Sequence, residues 1–176
     1  GLHEICTATT TMHARLRAAR GRIGEALASA HHARLVHQMS DQGTGRALAT
    51  LTIAQMYAMQ GNIHSCARWL AEAVPTFETQ DRPGQAAQAR VALGRMSLAL
   101  GDELQATLHL DAALAHGRSQ ADLRLIAVAA DLLSEVESRA GREGEALLRQ
   151  REAHRAQLRL GDPRLCTAQA SLPSAP

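Results

Sequence analysis

The stretch LALGDELQATLHLDAALAH, residues 98–116, decides the fold because it is one copy of a unit that the chain repeats. It predicts the end of one helix, a glycine turn and a second amphipathic helix. Glycines recur at the same point of the unit, 40 residues apart: Gly21, Gly61, Gly101 and Gly141. A fixed period of this length is typical of stacked helical repeats. The chain therefore holds four copies of a 40-residue unit.

Small and apolar residues keep the same register around each glycine. Five positions after it stand Ala26, Cys66, Ala106 and Ala146, and twelve after it stand Ala33, Ala73, Ala113 and Ala153. Seven positions before it stand Ala14, Ala54, Gly94 and Ser134, and five before it stand Leu16, Met56, Met96 and Val136. Because small side chains let two helices approach closely, these columns predict a pair of packed antiparallel helices in each copy.

Local signals complete the predicted hairpin. The register glycine is expected to adopt the left-handed backbone that ends a helix, and Asn62 and Asp102 are expected to cap the next one. Residues predicted to fill the seam between helices are Ile53, Leu93, Leu104, Leu108 and Leu110. Polar segments between copies, residues 40–45, 79–84 and 116–120, are predicted to be turns. Such a hairpin buries its apolar faces only when it stacks on its neighbours.

This register resembles the tetratricopeptide repeat, over residues 4 to about 160. The family's common period is about 34 residues. The longer period here is similar to that of MalT-like bacterial regulators and kinesin-light-chain-like arrays. The large aromatic usual four positions before the glycine is present only as Tyr57. The resemblance implies an all-α, right-handed superhelical solenoid of about four antiparallel hairpins, and the structural alternative is a plain bundle of helix pairs.

The predicted domain organisation is one helical repeat domain, residues 1–160, followed by a tail. Repeats are expected at about residues 4–40, 44–80, 84–120 and 121–160. Residues 161–176 lose the helical periodicity and gather Pro and Ser, which is typical of a linker or flexible tail. Because the chain begins with Gly1 rather than Met, it is expected to be an excised part of a longer protein.

Composition excludes several function classes. All 19 basic residues are Arg, and the net charge of +2 is not clustered, so nucleic-acid contact is not expected. Three dispersed cysteines without a CxxC pair favour a reducing cytoplasm, and the use of Arg alone favours a GC-rich bacterial genome. No apolar run approaches the roughly 20 residues of a membrane span, so membrane contact is not expected either.

The resemblance implies a peptide-binding groove lined by the first helix of each hairpin. Carried over by distance from the glycines, the groove residues are Arg15, Leu51, Gln55, Met59, Val91, Arg95, Leu98, Asp131 and Glu135. The apolar members would form the floor, and Arg15 or Arg95 would hold a carboxylate. The alternative is that the apolar members are core and the charged ones a solvated face. The Lys/Asn set with which chaperone-binding members hold a C-terminal carboxylate is absent, which disfavours docking of that kind.

No pattern indicates catalysis, a metal or a cofactor. Nine histidines include His109 and His116 near one helix face, but a zinc site needs three or four convergent ligands, and no HExxH or paired-cysteine motif is present. Asp131 and Glu135 could act as an acid pair but favour a solvated edge. Cys66 stands in a column of alanines and is interpreted as a packing residue. The chain is therefore expected not to be an enzyme and to need no cofactor.

Two functions stay open. The first is a noncatalytic interaction or sensor module that binds a protein or peptide segment, or a small effector, and regulates an attached output domain of a bacterial signalling or transcription-regulating protein. The second is a scaffold that forms homo-oligomers through its end or edge helices. A terminal hairpin without a capping helix would expose the apolar side that normally meets a neighbour.

Overall fold

The computed structural model describes residues 21–40 and 42–161. Within these ranges the chain forms seven α-helices and no strand. We number the helices in chain order: α1 (Ile23–Met39), α2 (Gly43–Met59), α3 (Ile63–Thr79), α4 (Pro83–Ala99), α5 (Glu103–Ser119), α6 (Leu123–Arg139) and α7 (Glu143–Gly161). Each packs mainly against the next along the chain, and α5 and α6 also contact the helices of adjoining hairpins. The predicted all-α stack of helical hairpins is confirmed.

Some predictions fall outside the described residues. These are the first helix of the first hairpin, with Ala14, Arg15 and Leu16, and the predicted tail from residue 162 onward. Of the tail, Gly161 is the last residue of α7. No described helix is long and apolar enough to cross a membrane.

The turns within hairpins follow the prediction. The four register glycines have φ between 72° and 79°, the left-handed conformation that other residues adopt only at a cost. The side chains of Asn62 and Asp102 accept hydrogen bonds from the backbone N–H groups of Ser65 and Gln105, each at 3.0 Å. Both predicted helix caps are confirmed.

The turns between hairpins are shorter than the polar segments predicted. Helix α2 already begins at Gly43, α4 begins at Pro83, and α5 continues to Ser119. Pro83 fits the first turn of α4 because the N–H it lacks would have no partner there. Asp81 and Ala121 take the left-handed conformation at these turns, with φ of 52° and 53°. Turns within and between hairpins therefore have the same length, and successive helices begin 20 residues apart.

The small-residue columns lie in the core. All eight residues five and twelve positions after the glycines are buried. A Cβ added at Gly94 would lie 2.6 Å from Cγ of Leu110, so α4 and α5 approach too closely there for a larger residue. Ile53, Leu93 and Leu110 fill the seam as predicted.

The prediction that Leu104 and Leu108 fill the seam is wrong. Their side chains are 78 % and 57 % exposed. Each stands two residues from the buried Ala106, which is about 200° around a helix. The two leucines share a face with each other, but that face is opposite the core.

The last hairpin differs from the inner ones at positions that face a following hairpin. In α3 and α5 these positions are buried, with Phe77 packing near α4 and Gly117 against Leu125 and Ile126 of α6. Two such positions recur in the second helix of each hairpin. The first is occupied by Val74 in α3, Leu114 in α5 and His154 in α7. The second is occupied by Phe77, Gly117 and Gln157 in the same three helices. His154 and Gln157 are exposed. Helix α7 thus presents polar side chains where the inner helices present packing surface.

Candidate functional site

Three of the predicted groove residues meet at one cleft. It has a volume of about 230 Å³ and lies between α2, α3 and α4. Leu51 and Gln55 reach it from α2, and Arg95 reaches it from α4. The other lining residues are Ala54, Ala58, Cys66, Leu70, Gln88, Ala92 and Met96. We call this site the Arg95 cleft.

Helical spacing and small residues create the Arg95 cleft. Residues 51, 55 and 58 are one turn apart on α2, and residues 88, 92 and 95 are one turn apart on α4, so each set faces one side of its helix. Ala58 and Ala92 carry only a methyl group, which leaves space between the two helices. Leu70 from α3 is buried and closes the floor. The cleft therefore needs two neighbouring hairpins and cannot form in one alone.

The electrostatics of the Arg95 cleft favour an anionic group at its rim. Arg95 is exposed, and within the described ranges its guanidinium has no hydrogen-bond or ion-pair partner. No acidic side chain from the described residues lines the cleft. An arginine fork binds a carboxylate through two parallel hydrogen bonds, which gives both strength and direction.

Cys66 belongs to the floor of the Arg95 cleft. Its side chain is buried, and burial raises the pKa of the thiol. A thiol with a raised pKa stays protonated at neutral pH and is a poor nucleophile. This environment agrees with the interpretation of Cys66 as a packing residue.

The remaining apolar groove residues are not gathered at the Arg95 cleft. Val91 and Leu98 are only 8 % and 4 % exposed and belong to the core cluster that joins α4, α5 and α6. Val91 also borders a second cleft of about 240 Å³ between α4 and the start of α6. Met59 is exposed and does not line the Arg95 cleft. Val91 and Leu98 thus serve mainly the packing between hairpins.

The acidic groove residues lie on the terminal hairpin. Glu135 forms an ion pair with Arg139 at 2.5 Å, one helical turn away on α6. Asp131 is exposed and occupies the column in which the inner hairpins have Leu51 and Val91. Neither carboxylate lines the Arg95 cleft.

Sequence reasoning missed the floor of the Arg95 cleft. The groove positions were taken from first helices alone, whereas Cys66 and Leu70 come from the second helix of their hairpin. Ala54, Ala92 and Met96 also line the cleft. Ala54 and Ala92 stand three residues from Leu51 and Arg95, and this helical spacing was the available signal.

Among the histidines of the described part of the chain, His31 and His109 are half-buried. No three His, Cys, Asp or Glu residues of that part lie close enough to hold a metal ion. His31 packs edge-on against Trp69 with ring centroids 5.3 Å apart, and Arg34 lies 5.1 Å from the centre of the Trp69 ring. Burial and the charge of Arg34 lower the pKa of His31. The pKa of His109 is lowered by burial and by Arg90.

Comparison with known proteins supports the fold. No protein-family model and no curated protein matches the chain. Among solved structures, the chain is similar to the crystal structure of BtubC (BKLC) from P. vanneervenii, with a TM-score of 0.75. The match has 19 % sequence identity and covers 98 % of this chain and 68 % of that chain. At this identity the similarity shows a shared helical fold.

Proposed function

We propose that this chain is a noncatalytic interaction module that binds a segment of a partner protein in the Arg95 cleft. The observation that carries the proposal is the exposed guanidinium of Arg95, which has no partner in the described ranges and stands at the rim of a largely apolar cleft. A charged group that the fold itself does not use, beside apolar surface, is a typical recognition arrangement.

The size of the Arg95 cleft favours a peptide over a small effector. Its volume of about 230 Å³ is below the ~300–1,000 Å³ of ordinary small-molecule pockets. It suits one anchoring apolar side chain of a longer segment. Arg95 would hold a carboxylate of the same segment, and the exposed amide of Gln88 would bond its backbone.

The wider role rests on the stacked-hairpin fold and the resemblance to tetratricopeptide repeats. In this proposal the chain is the regulatory part of a larger bacterial, cytoplasmic signalling or transcription-regulating protein. The scaffold alternative is not favoured at the outer face of α7 that carries His154 and Gln157, because these residues are polar at the positions where end-to-end stacking would need apolar contact.

Selection from a displayed random-peptide library tests the proposal. Enriched peptides are synthesised and titrated against the wild type, Arg95→Glu and the control Arg82→Glu, which reverses another exposed arginine, in the turn before α4. We expect acidic peptides whose affinity falls by about tenfold or more in Arg95→Glu and is kept in the control. Equal binding to wild type and Arg95→Glu would place the site elsewhere.

A second variant tests the cleft itself rather than its charge. Ala58→Trp adds a large side chain at an exposed lining position, so it should block the cleft without disturbing the core. Loss of peptide binding with an unchanged melting temperature supports the proposal. Unchanged binding contradicts it.

A further inference from the structure

Helix α7 carries a row of arginines that the fold does not use. Arg151, Arg155 and Arg159 follow one another at intervals of four residues and are exposed. In the described part of the chain none of them forms an ion pair or hydrogen bond through its side chain. By contrast, Arg118 and Arg149 bind Glu152 and Asp111 across the interface of α5 and α7. The row therefore differs from the arginines that join the hairpins.

The arginine row lines a cleft of about 420 Å³ between α7 and the start of α6. Its apolar lining is Leu123, Ile126, Leu148 and Ala156. Leu148 is 58 % exposed, so apolar surface lies open beside the charges.

The acidic residue at this cleft does not neutralise the row. Both carboxylate oxygens of Glu152 accept hydrogen bonds from the guanidinium of Arg118, each at 2.7 Å. Arg118 also lowers the pKa of Glu152, which keeps the carboxylate ionised and engaged. The three exposed arginines thus give the cleft an uncompensated positive charge.

We propose that this cleft and the arginine row form a second docking surface, which binds an acidic amphipathic helix of a partner protein. Arginines four residues apart are about 6 Å apart along the helix axis. Glutamates at the same spacing on a second helix match them pair by pair, and the stripe of apolar residues beside those glutamates would cover Leu148 and Ile126.

Charge and apolar surface together favour this partner over other anions. A small anion would engage the arginines but would leave Leu148 exposed. Single-stranded nucleic acid binds through aromatic stacking as well as charge, and none of the side chains lining this cleft is aromatic. The surface shares no residue with the Arg95 cleft, and the inference does not depend on the function proposed for that site.

Two synthetic helical peptides of equal composition test the proposal. One carries glutamates at every fourth position beside a stripe of leucines, and the other has the same glutamates moved to the opposite face. Fluorescence anisotropy should show that the first binds the wild type about tenfold more tightly, with affinity falling as salt is raised. Equal affinities would overturn the inference, because charge alone would then explain binding.

A charge swap makes the test specific to the row. Arg155→Glu should weaken binding of the glutamate peptide about tenfold, whereas a peptide with lysine in place of the one glutamate that faces residue 155 should regain affinity for the variant. Arg82→Glu, in the turn before α4, is the matched control and should bind like the wild type. The inference is overturned if Arg155→Glu has no effect, or if a single-stranded oligonucleotide binds the row more tightly than the glutamate peptide. Circular dichroism of each variant verifies that helicity is kept.

Discussion

The hairpins α4–α5 and α6–α7 are built on one register but end differently. In the inner hairpin Leu114 is 1 % exposed, because it belongs to the cluster that α5 shares with α6. In the terminal hairpin the corresponding residue is His154, which is exposed. On the first helices, buried Val91 corresponds to exposed Asp131. Both hairpins keep the small residues five and twelve positions after the register glycine. The two hairpins therefore differ at a few positions on the outer face, which are apolar in the inner hairpin and polar in the terminal one.

The two candidate binding surfaces also differ in origin. The Arg95 cleft forms between two stacked hairpins, where Ala58 and Ala92 leave space. The arginine row lies on α7 at positions that are exposed in α3 and α5 as well. The first surface therefore depends on packing between hairpins, and the second depends on which residues occupy an exposed helix face.

Shortening the side chains of Leu114 and His154, which occupy the same position of the two hairpins, should give the largest difference in stability. Leu114→Ala is expected to lower the free energy of unfolding by about 2–5 kcal/mol, because it removes buried methyl groups and leaves a cavity. His154→Ala should change that free energy by less than about 0.5 kcal/mol, because the site is exposed. Urea denaturation measures both. Equal losses would show that the outer face of α7 is covered in solution.

A methyl group added at the close approach of α4 and α5 should have a smaller effect. Gly94→Ala places a Cβ 2.6 Å from Cγ of Leu110, so the leucine must shift. Overpacking of this kind costs about 1–3 kcal/mol, which equals or exceeds the gain of about 1 kcal/mol from better helix propensity.

The control for this variant is Ser134→Ala, at the same register position of the terminal hairpin, where the residue is only half-buried. We expect a change within about 0.5 kcal/mol. Thermal unfolding compares the two variants. A stabilised Gly94→Ala would mean that the helices lie farther apart than described.

The smallest effect on stability is expected from the ion pair between Arg118 and Glu152, which joins α5 to α7. The hydrogen bond from Arg118 lowers the pKa of Glu152 in the folded protein. A lowered pKa means that the carboxylate stabilises the fold above the pKa of the unfolded chain and loses this effect as the pH falls through the folded pKa. Glu152→Gln should therefore reduce stability at neutral pH by no more than about 1 kcal/mol, since the pair is partly exposed.

Urea denaturation over a pH series checks this prediction. The difference in the free energy of unfolding between the wild type and Glu152→Gln should shrink as the pH falls through the acid range. A difference that stays constant with pH would assign the effect to packing rather than charge.

Much of the fold followed from the sequence because its signals are local. The register glycines and the cap at Asp102 act through backbone conformation and hydrogen bonds within one turn, so each could be predicted from spacing. The exposure of Leu104 could not be predicted in this way, because the apolar character of a residue does not show on which side of the helix the core lies. Ala121 adopts a left-handed conformation that alanine disfavours, and Asp81 one that aspartate adopts only occasionally, so the second set of turns had no strong local signal.

The sites were less predictable because they depend on packing between hairpins. Leu51, Gln55 and Arg95 were predicted and do meet at one cleft. Leu98 shares their helical pattern but is buried by α6, which no spacing within α4 reveals. The arginine row is visible in the sequence, but its importance depends on which arginines the neighbouring helices neutralise.

Backbone amide chemical shifts give the most direct test of the Arg95 cleft as a binding site, when a peptide enriched in the library selection is titrated into the labelled protein. We expect the largest changes on titration to cluster at the Arg95 cleft, around Gln55, Ala58 and Arg95, and to disappear in Arg95→Glu. Changes centred on other helices, or changes that persist in Arg95→Glu, would contradict the claim that this cleft is the binding site.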